Sequence, residues 1–280
     1  MTILSNAPSQ PVERVAPGVV EEVGSVSNRE FKGTLRVIVF LLAVGLSCFH
    51  LYTAAFGTIY VTFQRCVHIG LVSVLVFMLY PFSKKGVTRG ITFIDLIWIA
   101  LSLASFLYPM VAFEGQINRQ GLPNTMDLIF GGITILVVLE VSRRVIGPSI
   151  SIVAAVFLLY AAYGQFVPGM LGHRPFTLSR IIGFQYMTTE GIFGIPLGVS
   201  STFVFLFVLF GAFIIRCGMG KFFTDISMSI AGASPGGPAK VAVIASGFEG
   251  MISGSSVANV VTSGSITIPQ MMLASSCASS

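Results

Sequence analysis

From residue 35 onward the chain alternates long apolar runs with short polar breaks. A helix needs about 20 apolar residues to cross a hydrocarbon core of roughly 30 Å, and six runs of that kind occupy residues 35–56, 66–82, 94–113, 127–147, 149–167 and 194–216. The second is short and begins beside Arg65 and His68, so its span is expected to reach back toward Thr58 with Arg65 at the membrane interface. The fourth and fifth are divided only by Arg143, Arg144 and a Gly147-Pro148 pair, enough for a tight turn. Pro109 and Pro196 fall near span ends, where a missing amide donor costs least. Residues 1–34 break the pattern: they are polar, carry both signs of charge, include Pro8, Pro11 and Pro17, and read as a disordered tail. No short apolar run with a small-residue cleavage site precedes the first span, so that span is expected to be retained.

Composition agrees with the pattern. Apolar residues make up 54% of the chain and charged ones 10%, with mean hydropathy +0.88, whereas soluble domains carry about 25% charge. The fold class is therefore all-α integral membrane protein, with about six transmembrane helices. The net charge of +5 is explained by topology rather than by nucleic acid. With a cytoplasmic N-terminus the inner side receives Arg14, Arg29, Lys32, Arg36, Lys84, Lys85, Arg89, Arg143, Arg144, Arg216, Lys221 and Lys240, which is 12 of the 16 basic residues. Arg65, Arg119, Arg174 and Arg180 fall outside, and the positive-inside rule selects this orientation. The outer loops are then about 114–126 and 168–193.

Past the sixth span, Gly218 to Ala231 reads as a semi-apolar surface helix bearing Lys221 and Asp225, ended by the Gly- and Pro-rich stretch 232–238. Residues 238–269 then form a helical hairpin entering from the cytoplasmic side, two apolar limbs around the small polar core Ser253-Gly254-Ser255-Ser256-Val257-Ala258-Asn259. Broken backbone is tolerated at membrane depth only where protein or a wet cavity satisfies it, and such breaks form ion and substrate sites in many transporters. Carbonyls and the hydroxyls of Ser253, Ser255, Ser256 or Thr262 suit Na⁺, Asn259 can ligate or tie the limbs, and amides near 256–259 suit an anion. A packing surface of small residues between helices is the competing reading.

Other chemistry is sparse. Glu140 is placed to pair with Arg143 and Arg144, and Asp95 and Asp127, at span ends, are expected at the interface. His50, His68 and His173 are scattered without metal spacing and read as packing or interfacial histidines. Glu249, in the first limb, either titrates or binds a cation, or is a solvated structural residue. Cys48, Cys66, Cys217 and Cys277 lack CxxC spacing; they read as inert thiols, with a Cys48–Cys66 bridge as the alternative. Ser-based hydrolysis needs a base and an orienting acid, and no His or Lys stands near Ser253–Ser256, so no enzyme is indicated.

Several motifs in order resemble the permease of tripartite ATP-independent periplasmic (TRAP) transporters: HIGLVSVLVFMLYPF (68–82), LEVSRRVIG (139–147), LGHRPF (171–176), EGIFGIPLGVSSTFVFLFVLFGAF (190–213), GGPAKVAV (236–243), SGSSVANVV (253–261) and TIP (267–269). The resemblance covers roughly residues 30–270 and is similar in detail to fused permeases of the subfamily served by TAXI-type solute-binding proteins. It implies a small-subunit-like scaffold at 35–148, a connector helix and periplasmic loop at 149–193, and the start of the large-subunit transport domain at 194–270. It also implies a bacterial inner-membrane location, an elevator motion driven by Na⁺ as coupling ion with no other cofactor, a periplasmic binding protein as partner and a small organic anion as substrate. Ser253, Gly254, Ser255, Ser256 and Asn259 match positions near the family's cation and substrate sites. Residues 271–280 depart from the family, where relatives continue into a second inverted repeat, and Glu249 replaces an apolar residue. The resemblance thus implies one half of an inverted-repeat transporter, inactive without the missing large-subunit portion; the rival reading is a non-transporting membrane scaffold or accessory subunit.

Overall fold

The computed structural model describes residues 29, 31, 33–57, 60–82, 90–119, 122–252, 264 and 268, with only the backbone of Ile215. The described residues divide into two compact units, one within Val26–Phe210 and the other from Gly211 onward. Among the described residues every regular element is helical. Six helical stretches are long and apolar enough to cross a membrane: Thr34–Phe56, Val61–Leu79, Phe93–Val111, Thr125–Val145, Pro148–Phe166 and Ile195–Ile214. The expected fold class is thus observed, and the second span starts at Val61, close to the predicted backward extension.

The first unit is built on α1 (Thr34–Phe56), α2 (Val61–Leu79), α3 (Phe93–Val111), the short α4 (Phe113–Asn118), α5 (Thr125–Val145), α6 (Pro148–Tyr163), α7 (Leu178–Met187), α8 (Ile195–Val199) and the start of α9 (Phe205–Arg216). Neighbouring spans pack in sequence, α1 on α2, α2 on α3, α3 on α5 and α5 on α6. Their shared core is Cys66, Phe77, Phe106, Val137, Tyr186 and Phe193. Reciprocal caps start two spans: the Thr92 and Asn124 side chains accept from backbone amides while Asp95 and Asp127 accept from the cap amides. Gly147, at φ 111°, makes the turn that Pro148 follows into α6, a backbone that a side chain at this position would strain. Pro109 sits in the last turn of α3, which ends two residues later at Val111.

The stretch read as an outer loop contains a helix. α7 packs along α5, and a Cβ at Gly131 would come within 2.7 Å of Ile182 Cγ2, so only glycine admits this approach. The Tyr186 hydroxyl donates to the Ser105 carbonyl inside α3 at 2.9 Å. The Arg65 guanidinium, at the start of α2, donates to the Phe193 carbonyl in the turn between α7 and α8. The tail reading also needs correction at its end, because Arg29 and Phe31 are buried against the bundle and the Arg29 amide donates to the Leu79 carbonyl at 2.9 Å. Cys48 is exposed, Cys66 is buried, and both are free thiols.

In the second unit the described residues form the end of α9, then α10 (Met219–Ala231) and α11 (Gly237–Ile252). α10 takes the place of the predicted surface helix, and Gly218 in the left-handed region turns the chain into it.

Candidate functional site

α10 and α11 pack as a helical pair. Val241 and Ala245 are fully buried on α11, and Phe223 stacks on Phe248 with ring centroids 5.6 Å apart. Small polar groups on α10 satisfy themselves locally, Thr224 and Ser227 each bonding the carbonyl four residues earlier, so they can be buried without a partner helix donating. The connecting turn is tied by the Gly237 amide to the Ser234 carbonyl at 2.8 Å. α11 ends at Ile252 and delivers the chain to the predicted tip. Ser253, Gly254, Ser255, Ser256, Asn259 and Thr262 themselves lie outside the described residues.

One turn before that tip stands Glu249. The solvated role considered for it does not hold, because its residue exposure is only 6%. Among the described residues neither carboxylate oxygen has a hydrogen-bond partner. Burial raises this carboxyl above its ordinary pKa, since desolvation penalises the charged form.

The first unit treats its buried charges differently. At one end of the bundle, Asp95 accepts from Arg29 at 2.7 Å and from Arg144 at 2.6 Å. Glu140 accepts from Arg143 and Arg144, both at 2.7 Å, as its i,i+3 and i,i+4 spacing led us to expect. Arg144 also lies over the Phe77 ring, 4.8 Å from its centroid. Asp127, near the start of α5 and so toward the opposite end of that helix, accepts from Arg119 at 2.6 Å, from Tyr108 and Gln116 at 3.0 Å each, and from the Asn124 amide at 2.9 Å. Asp95 and Asp127 were expected at the interface. They are at span ends but buried, with exposures of 0% and 1%, because the guanidinium partners replace water. The Thr92-x-x-Asp95 and Asn124-x-x-Asp127 spacings carried the signal, a cap residue followed by an acid at the third helical position.

A third polar cluster joins the sixth span to α1 and α2. Between α8 and α9 the helix widens into one π turn, Ser200–Val204, with the Phe205 amide donating to the Ser200 carbonyl five residues back. The Gln64 side chain donates to the Ser201 carbonyl at 3.0 Å. His50 Nε2 and His68 Nδ1 are 2.9 Å apart, and His68 Nε2 lies 3.3 Å from the Ser200 hydroxyl. Both imidazoles pack on Phe205. The two histidines read as scattered are therefore one buried hydrogen-bonded pair, a contact between helices that no spacing along the chain reveals. Among the described residues no group of three or more metal-ligating side chains occurs, so the pair offers a relay of hydrogen bonds rather than a metal cage.

The family model of the tripartite ATP-independent periplasmic transporter DctM component matches residues 133–275. The chain belongs to this family. No curated protein and no solved structure matches significantly. The DctM match starts inside α5 and runs through α6, α7, the π turn, α10 and α11 to the predicted tip. Its presence with six candidate spans makes the protein a multi-pass membrane component of a TRAP transporter, a transporter family and not an enzyme family. Membership implies a periplasmic binding protein as partner.

Proposed function

We propose that this DctM-family chain is the permease of a Na⁺-driven TRAP transporter for organic acid anions, working with a TAXI-type binding protein in the bacterial inner membrane. The observation that carries the reading is the family match across the polar run 253–262, reached by a helix whose inner face is already buried against α10. Ser253, Ser255, Ser256, Thr262 and tip carbonyls supply oxygen to Na⁺, while amides near Asn259 receive the substrate anion. The bundle of α1 to α5, whose last helix overlaps the start of the match, acts as a fused small subunit. Its tight network of buried ion pairs suits a platform that does not move. The N-terminus lies in the cytoplasm, a placement supported by the 12 of 16 basic residues on that side and by Arg29, Arg143 and Arg144 meeting at one bundle end.

The test is uptake by the complete transporter in liposomes with its binding protein. Ser255→Ala and Asn259→Ala each raise the Na⁺ concentration for half-maximal uptake, on the order of tenfold if about 1.4 kcal/mol of ligation is lost, while membrane insertion is unchanged. Unaltered Na⁺ dependence in both variants would overturn the assignment and favour a packing role.

A further inference from the structure

We infer that the cleft between α5, α6 and α7 is a specific binding site for one anionic phospholipid, with an acyl chain in the cleft and the phosphate on Arg180. The cavity measures about 610 Å³ and is walled by apolar side chains such as Leu139, Phe157, Leu158 and Ile181; Arg180 and Gln185 are the two polar side chains that line it. That volume falls among ligand pockets, and the lining suits a hydrocarbon chain with a single charged end. α6, one wall of the cleft, has no buried residue, so as a membrane span it offers its apolar side chains to lipid.

Arg180 lies at headgroup height. The Phe176 amide donates to the Ala161 carbonyl in the last turn of α6 at 3.1 Å, and the Arg180 guanidinium stands 5.2 Å over the Phe176 ring. Arg180 is therefore level with the membrane end of the helix that forms one wall. This holds whichever face of the membrane that end occupies. Its charge is also uncommitted. Of the arginines read to this side, Arg65 is spent on the Phe193 carbonyl and Arg119 on Asp127, whereas Arg180 has no carboxylate partner among the described residues. A fixed cation at the mouth of an apolar slot is complementary to a phosphodiester carrying net negative charge, and guanidinium binds phosphate with two parallel hydrogen bonds. A zwitterionic lipid brings its own cation to the same place and gains less.

Native mass spectrometry of the full chain in mild detergent, offered equal amounts of phosphatidylglycerol and phosphatidylcholine, tests the site. One phosphatidylglycerol is retained, and Arg180→Gln reduces the preference over phosphatidylcholine on the order of tenfold, the value of one charge-assisted contact. Arg174→Gln leaves the preference unchanged. Ala161→Trp, which fills the mouth, removes both lipids; should that variant fail to fold, Ala154→Phe obstructs the same cleft. Equal retention of the two lipids by the unaltered chain, an undiminished preference in Arg180→Gln, or an equal loss in Arg174→Gln would each overturn the proposal. Unchanged lipid retention in the folded cleft-filling variant would do the same, because the lipid would then bind elsewhere.

Discussion

Buried carboxylates occur in both units of this protein, and they are handled in opposite ways. In the bundle, Asp95 lies between Arg29 and Arg144, and Glu140 between Arg143 and Arg144. In the α10–α11 pair, Glu249 is as deeply withdrawn but meets no partner among the described residues. An ion pair inside a protein gains little over apolar packing, but removing one member leaves an uncompensated charge and is strongly destabilising. The bundle cluster thus locks α2, α3 and α5 and the chain ahead of α1 into one arrangement, since it is only tolerable when every member is present. Glu249 carries no such obligation. A lone buried carboxyl is committed to no partner, and it remains available to exchange a proton or meet a cation when its surroundings change. The difference separates a charge that fixes structure from one available for function.

The largest effect should follow from breaking the cluster at its centre. Asp95→Asn leaves Arg29 and Arg144 sharing a neutral acceptor, and the full-length protein in detergent should lose about 3–5 kcal/mol of stability. Thermal unfolding monitored by thiol labelling of the buried Cys66, with the other three cysteines replaced by alanine in parent and variant alike, reads this directly. An Asp95→Asn variant that melts with the parent would mean that the cluster is ornamental, and the contrast with Glu249 would lose its first half.

A smaller loss is expected where the bundle holds the sixth span. Gln64→Leu removes the side-chain donor to the Ser201 carbonyl within the π turn. The buried carbonyl then loses this donor, at a cost of about 1–3 kcal/mol, and the turn is expected to relax toward regular α geometry. π turns of this kind mark functional positions in helices, so transport by the complete system is the second readout. A variant with unchanged stability and unchanged transport would show that the turn holds its shape without Gln64.

The spans were legible in the sequence because their signal is compositional: twenty apolar residues can hardly be anything but a crossing helix, and all six predicted runs overlap observed ones. Pairing between neighbours in sequence, as at Glu140 with Arg143 and Arg144, was legible too, because helix geometry fixes it. The rest depends on which helices touch. α7 is ten residues long, too short to read as a span, and its seat on Gly131 is visible only once α5 and α7 are together. Arg29 lies 66 residues from Asp95, and His50 lies 18 from His68, so neither pair leaves a local trace. The acid caps at Asp95 and Asp127 were readable but were outweighed by the expectation that charges at span ends face headgroups.

The smallest effect concerns Glu249 and tests the other half of the contrast. An unpaired buried carboxyl has its folded pKa above the unfolded value, here by desolvation, so the folded state binds the proton more tightly. Stability from this group is fully present below the unfolded pKa of about 4.3 and is lost as pH rises through the folded value, because the unfolded chain gives up its proton first. The part of the stability that Glu249 supplies should accordingly decline as pH is raised from about 4.3 toward neutrality, against a rising part from the ion-paired Asp95, Asp127 and Glu140 that both proteins share. Glu249→Gln cannot ionise, and its pH profile should lack that decline, on the order of 1 kcal/mol for each pKa unit between the two states. Measuring both proteins from pH 4 to pH 8 isolates the term, since every other titrating group is common to them. Parallel pH profiles would mean that Glu249 is paired in the intact protein, and that both units obey the same rule of matched buried charges.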